Sequence, residues 1–473
     1  MTTPFDARRR ALLRRGAGLL GALGLGAGGL TLAPRSARAG DYRALVCVFL
    51  YGGNDGANTL VPTERDPYAL YAGLRGALAL PPGSLVPLAG SGLGLHPSLA
   101  ALQPWWDAGR LAPVLNVGPL VQPLTQSTFR AAAPADTTQL PESLFSHPDQ
   151  RVLWEAGGGN PRQRSGWGGR AAGSQPVIGF GNNPLFGQAE DRATLVLPGP
   201  GELFGGYGLQ AEDARWAPLA ARQQALLAMY QDTQDNELAQ RFAAQQIEAF
   251  WLSSQLAGLV RTLPGEAAAF ALIDQVFAPL LSNGRFANPL AAQLYQVAKL
   301  IHARATLGGD RQIFLTQLEG FDTHANQVAR DGATVGDHAQ LLRWVGEALA
   351  AFHAALQAVG AGDTTVSFTQ SEFGRTVLPN ASLGTDHGWG NHHWVMGGPV
   401  RGGQVYGRLP DPTPGGADDA SRHEGERHGR WIPQIAVDQY AATLLSWLGV
   451  GDAALARALP GLSGFGQRPL GFL

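Results

Sequence analysis

The chain of 473 residues is 45% hydrophobic and 15% charged, enough apolar content to bury a large core, which excludes a disordered polymer. Its formal charge of −2 excludes the basic balance of a nucleic-acid binder. The single cysteine, Cys47, excludes an internal disulfide and a cysteine-type zinc site.

Residues 1–39 read as an export signal and stand apart from the fold. Arg8, Arg9, Arg10, Arg14 and Arg15 precede an apolar, glycine-rich run from Gly16 to Ala33, and Ala37-Arg38-Ala39 offers a small-residue cleavage site before Gly40. The order Arg9-Arg10-Ala11-Leu12-Leu13 fits a twin-arginine signal, so the expected location is the periplasm or the medium. A single-span anchor is the alternative, though the run is short for a bilayer and weakened by glycine. The segment holds seven Arg and one Asp, so its removal takes the formal charge from −2 to −8.

Along the remaining chain, β-rich runs alternate with helical stretches. Strands are expected at Ala44 to Leu50, Leu111 to Val117, Arg311 to Gln317 and Thr364 to Gln370, with Cys47 packed inside the first. Between Trp216 and Arg304, long helices take over. Leu238, Phe242, Ala249, Leu252 and Leu256 recur at helical spacing after a polar Asp235-Asn236-Glu237 start that can satisfy first-turn amides. Pro410 to Gly416 must be a loop. The pattern predicts an α/β fold with a largely parallel central sheet flanked by helices, as one domain over residues 40–473 with a helical insertion at about 216–304.

In such sheets, ligands gather outside the carboxyl ends of the strands. There the sequence places Asn54-Asp55-Gly56, then Phe321-Asp322-Thr323-His324, then Ser371-Glu372-Phe373-Gly374-Arg375, and shortly after them Asp386-His387 with His392 and His393. Carboxylates and imidazoles gathered at one edge repel or desolvate each other unless a cation sits between them. Asp55, Asp322, His324, Glu372, Asp386 and His387 are therefore candidate ligands for one or two divalent ions, with zinc, manganese or iron suited to mixed oxygen and nitrogen donors. Asp55 alone is also an ordinary turn former, and Glu372 a partner for Arg375. His338 reads as a solvated helix face, His353 as packing, and His423 and His428 as surface loop. Ser146 heads a helix, either as its N-cap or as a nucleophile, with Arg375 neutralising substrate oxygens and His392 or His387 moving a proton.

Tyr51-Gly52-Gly53-Asn54-Asp55-Gly56, Phe145-Ser146-His147, Gly166-Trp167-Gly168-Gly169-Arg170, Phe321 to Gln327, Ser371 to Thr376 and Thr385 to His393 together resemble the exported bacterial family catalogued as domain of unknown function 1501. That family is similar in fold to the alkaline phosphatase and sulfatase superfamily. The resemblance implies a two-metal site at the strand ends, with Asp55 bound to metal, Ser146 as nucleophile, Asp322 and His324 as a later ligand pair, Glu372 where the superfamily has aspartate, and His387 before an apolar strand Trp394 to Gly398. It departs from the superfamily in the spacing Asp322-x-His324 and in Glu372-Phe373, where the superfamily has Asp-His. One imidazole is thus missing unless His387 or His392 replaces it. The implied activity is hydrolysis of phosphate or sulfate esters on a small molecule. The alternative is a non-catalytic envelope protein that binds or assembles a partner. Neither reading calls for nucleic acid or a membrane span in the mature chain, and the export machinery is met only through the signal.

Overall fold

The strands that position the site are β1 (Arg43–Leu50), β2 (Leu111–Gly118), β3 (Ile178–Phe180), β4 (Leu195–Leu197), β5 (Arg311–Leu318), β6 (Thr365–Gln370), β7 (Asn391–Gly397) and β8 (Ile435–Ala436). In the computed structural model, described for residues 42–473 except 174, 183, 206–214, 233–235, 308 and 467–468, they form one sheet in the order β8-β2-β7-β6-β1-β5-β3-β4. The expected twin-arginine segment lies outside the described residues. β6, β1, β5, β3 and β4 run parallel, as do β8 and β2, while β7 runs antiparallel to both its neighbours. This is the largely parallel α/β sheet that the strand pattern predicts.

β1 is apolar at successive positions because both its faces are covered, as parallel strands require. Ala44, Val46 and Val48 face one layer of core, with Leu294, Val297 and Ile301 of α5 (Pro289–His302) and Leu342, Val345 and Phe352 of α6 (Asp337–Ala358). Leu45, Cys47 and Phe49 face the other, with Trp154 of α2 (His147–Ala156) and Tyr440 and Leu445 of α7 (Val437–Leu448). Each fully buried Leu, Val, Ile or Phe side chain contributes about 1.5–3 kcal/mol. α5 starts where Asn288 accepts from the amides of Leu290 and Ala291 at 3.0 and 3.2 Å, with Pro289 in the first turn, where no amide is needed. Among the described residues, no helix is long and apolar enough to cross a membrane.

The expected helical stretch comprises α3 (Ala217–Gln231), α4 (Glu237–Arg261), a short helix at Ala271–Phe277, and α5. Asn236 caps α4 by accepting from the Ala239 amide at 2.8 Å. The apolar stripe packs only at its far end: Leu256 is buried, whereas Leu238 and Phe242 are 79% and 55% exposed. Residues Tyr42–Leu473 form one compact unit.

Register decides what meets at the site. β1 pairs with β5 from Arg43↔Arg311 to Leu50↔Leu318, and Phe49 lies beside Gln370 of β6, so three chain segments leave the sheet side by side. β7 runs the other way, and its first residue, Asn391, lies beside Val117, near the end of β2. The segment leading into β7 therefore arrives at the same edge. Gly52 lets the first segment turn there. Its φ is +115°, and a Cβ would lie 2.2 Å from the Asp322 amide nitrogen, so no other residue fits beneath the second segment.

Candidate metal site

Four side chains converge at this edge: His147 from the first turn of α2, Asp322 and His324 from the loop after β5, and His387 from the approach to β7. One donor atom of each lies within 4.8 Å of the others. His324 Nε2 is 2.8 Å from His387 Nε2, and Asp322 Oδ1 is 3.3 Å from His147 Nε2, 3.2 Å from His324 Nε2 and 3.6 Å from His387 Nε2. Phe373 packs behind them, its ring centre 4.7 Å from those of both His147 and His387.

Each imidazole is held from behind by an acceptor. His147 Nδ1 meets Glu372 Oε1 at 3.0 Å, His324 Nδ1 meets Asp386 Oδ1 at 3.1 Å, and His387 Nδ1 meets the Phe145 carbonyl at 2.8 Å. A carbonyl oxygen only accepts, and an ionised carboxylate does the same, so these partners assign the proton of each ring to Nδ1. Three Nε2 lone pairs then point at one region beside a carboxylate. His147 Nε2 is buried and has no aligned hydrogen-bond partner in the protein. Facing lone pairs repel unless an electrophile lies between them, so the donor set fits a divalent cation. Backing of metal-bound histidines by carboxylates and carbonyls is the arrangement that raises their basicity and fixes their orientation. Three nitrogens and one oxygen suit zinc, manganese or iron.

The charges agree with that chemistry. Burial works to raise the Asp322 pKa, but the Arg375 guanidinium bonded to it, with His147 and His324, holds the carboxyl below its usual range. Arg375 is itself buried and pinned by the carbonyls of Gly53, Gly52 and Phe321 at 2.9, 2.7 and 3.0 Å. The hydrogen bond to Glu372 raises the His147 pKa against the effect of burial, whereas burial lowers that of His387.

The sequence profile of the family described as "Protein of unknown function (DUF1501)" matches residues 42–424. The chain belongs to this family. No curated protein matches it. Among solved structures, this DUF1501 chain is similar to the PsFucS1 sulfatase from Pseudoalteromonas sp., with 11% identity, 88% of this chain and 69% of that one covered, and a TM-score of 0.34. It is also similar to Ps i-CgsB, with 10% identity, 87% and 72% covered and a TM-score of 0.34. The lipoteichoic acid synthase LtaP from Listeria monocytogenes matches at 7% identity, 87% and 72% covered, with a TM-score of 0.31. No activity is carried over from them.

Of the residues the sequence nominates in this DUF1501 chain, Asp322, His324 and His387 supply donor atoms. Glu372 and Asp386 stand one layer behind, touching imidazoles. Asp55 is outside the group. Fully buried, it accepts from the Ala57 amide at 3.1 Å and pairs with Arg75 at the end of α1 (Arg65–Arg75). Burial pushes the Asp55 pKa up, but Arg75 with His338 and Gln327 overcomes it and holds the group low. Ser146 occupies the N-cap position of α2, yet its hydroxyl donates to Asp149 Oδ2 at 2.8 Å and caps no amide. His392 is also outside the group, because β7 begins at Asn391 and not at Trp394. It is therefore buried in the strand, where Nδ1 accepts from the Asn116 amide at 3.2 Å and the ring stacks on Trp431. Burial pushes its pKa down to about 4, too low for a proton shuttle near neutrality. His338, expected on a solvated face, is buried and bonded to Asn54 Oδ1 at 2.9 Å.

His147 is the fourth member of the group and is not among the residues that the sequence nominates. Its signal lay in Phe145-Ser146-His147-Pro148, where Pro148 marks the first turn of a helix.

Proposed function

We propose that this DUF1501 protein is a metal-dependent hydrolase of phosphate or sulfate esters. The observation that carries the reading is the convergence of three Nε2 atoms and Asp322 Oδ1, with every imidazole fixed from behind by an acceptor. His147, His324, His387 and Asp322 would hold the ion. A divalent cation in such a setting supplies Lewis acidity and lowers the pKa of water toward neutrality. Glu372, Asp386 and the Phe145 carbonyl keep the imidazoles oriented, and Arg375 keeps Asp322 ionised. The side chains of Asp322 and His324 are 47% and 44% exposed, which leaves an open side for an ester to approach. In this reading water is the attacking group, and the Ser146 hydroxyl, which donates to Asp149 Oδ2, is tested separately by Ser146→Ala.

The second reading, a non-catalytic envelope protein that binds or assembles a partner, is favoured by one contact set: Arg375 is occupied by carbonyls and Asp322, leaving little of it for substrate oxygens. Metal content of purified protein, with turnover of a panel of phosphate and sulfate esters, separates the two. The hydrolase reading expects bound metal and turnover that are both lost in His147→Ala and both kept in Ser146→Ala. Metal-loaded wild-type protein that turns over none of the esters would leave the binding reading in place.

Export belongs to the same proposal, supported by the arginine-rich and apolar run before Gly40. A mature N-terminus at or near Gly40 in the periplasmic or extracellular fraction is the expected result, and an uncleaved cytoplasmic chain the contrary one.

A further inference from the structure

Gln327 closes the Phe321 to Gln327 motif, is fully buried, and belongs neither to the donor group nor to the acceptors behind it. Its side-chain amide joins three parts of the fold. Nε2 donates to Asp55 Oδ2 at 2.5 Å, while Oε1 accepts from the hydroxyls of Thr323 at 3.0 Å and Thr385 at 2.6 Å. Thr323 immediately precedes His324, and Thr385 precedes Asp386 and His387. The two loops also meet directly, the Thr385 amide donating to the Thr323 carbonyl at 3.1 Å.

An amide side chain can face a neighbour with its donor end or its acceptor end. An ionised carboxylate accepts only, so Asp55, held by Arg75, requires the donor end. The amide oxygen is thereby turned toward the two threonines, whose hydroxyls must both donate. Asp55 in turn is fixed to the short helical turn that follows it through the Ala57 amide and to α1 through Arg75. A charge buried apart from the donor group thus sets the direction of the hydrogen bonds that tie the loops carrying His324 and His387 together.

We propose that Asp55 and Gln327 form a polar latch that sets the separation of His324 from His387, and through it the affinity of the donor group for a divalent cation. This rests on the metal reading above. Gln327 is a positioning residue, since it touches none of the four donors. Groups hydrogen-bonded directly to metal ligands typically govern affinity by about 10–100-fold, and Gln327, one contact further out, acts at the lower end of that range.

The test uses the full chain, with Zn²⁺ affinity read by chelator competition and site geometry read from the visible absorption of bound Co²⁺. Gln327→Met keeps the volume without the hydrogen bonds, and is expected to weaken Zn²⁺ binding by about 10-fold and to alter the cobalt spectrum. Thr385→Val, which removes one hydroxyl, is expected to give a smaller shift of the same kind. Thr385→Val added to Gln327→Met is expected to weaken binding little further, because both remove the same hydrogen bond. Wild-type affinity and spectrum in Gln327→Met overturn the latch, as do fully additive effects. Should Gln327→Met not fold, unchanged affinity and spectrum in Thr385→Val overturn it equally. A wild-type chain that binds neither ion overturns the metal reading beneath it, an outcome distinct from tight binding that the variants leave unmoved.

Discussion

Arg75→Met tests the reassignment of Asp55 from metal ligand to structural ion pair. The side chains of both partners are fully buried. Arg75 also donates to Asn58 Oδ1 at 3.1 Å and to the carbonyls of Thr376 and Val377 at 3.1 and 3.0 Å. Methionine fills much of the volume but leaves a buried carboxylate without its cation, a change that costs about 3–5 kcal/mol. The pH dependence must then change sign. In the wild type the Asp55 pKa is depressed, so its stabilisation is present above the unfolded value near 3.9 and is lost as pH falls through the folded pKa. Without Arg75, burial dominates and raises the folded pKa, so the variant loses stability as pH rises through that value. Urea unfolding at pH 7 and pH 5.5 is expected to show the full gap at pH 7 and a smaller gap at pH 5.5. A gap below about 1 kcal/mol at pH 7, or one that does not narrow on acidification, would refute the reasoning.

Glu372→Ala removes the acceptor behind His147 Nδ1 and is expected to weaken Zn²⁺ binding by about 10–100-fold in chelator competition; unchanged affinity would deny it an orienting role. Gly52→Ala forces a Cβ into the Asp322 backbone at a positive φ, so both folding stability and metal content should drop, and a stable, metal-replete variant would contradict the packing. Burial pushes the pKa values of His338 and His392 down to about 4 and of His353 and His393 down to about 3, so these rings are neutral when folded. Below the unfolded value near 6.5 the unfolded chain takes up protons that the native chain refuses, and each ring then removes about 1.4 kcal/mol per pH unit until its folded pKa is reached. Unfolding free energies measured from pH 7 to pH 4.5 should fall steeply, and a flat profile would mean that these rings are solvated.

β1, β2, β5 and β6 lie within a residue of their expected bounds, and β1 was the plainest because a parallel strand buried on both faces leaves an unbroken apolar run. β7 was not legible, because Asn391, His392 and His393 break the apolar pattern at its start, and their burial depends on neighbours such as Trp431 and Trp154. At the site, Asp322 and His324 were visible from their spacing on one segment. Asp55 falls outside the group and His147 falls inside it for a reason no local pattern carries: Arg75, on α1, pairs with the first, while Glu372, after β6, bonds the second. Long-range partners decide between a ligand and a buried ion pair, and one chain read in order does not display them.

The most direct test of the central claim is anomalous scattering from crystals of the full chain grown with Zn²⁺ or Mn²⁺. The account predicts one strong peak within bonding distance of His147 Nε2, His324 Nε2, His387 Nε2 and Asp322 Oδ1. A peak bonded to Asp55, or no peak at this edge of the sheet, would contradict it.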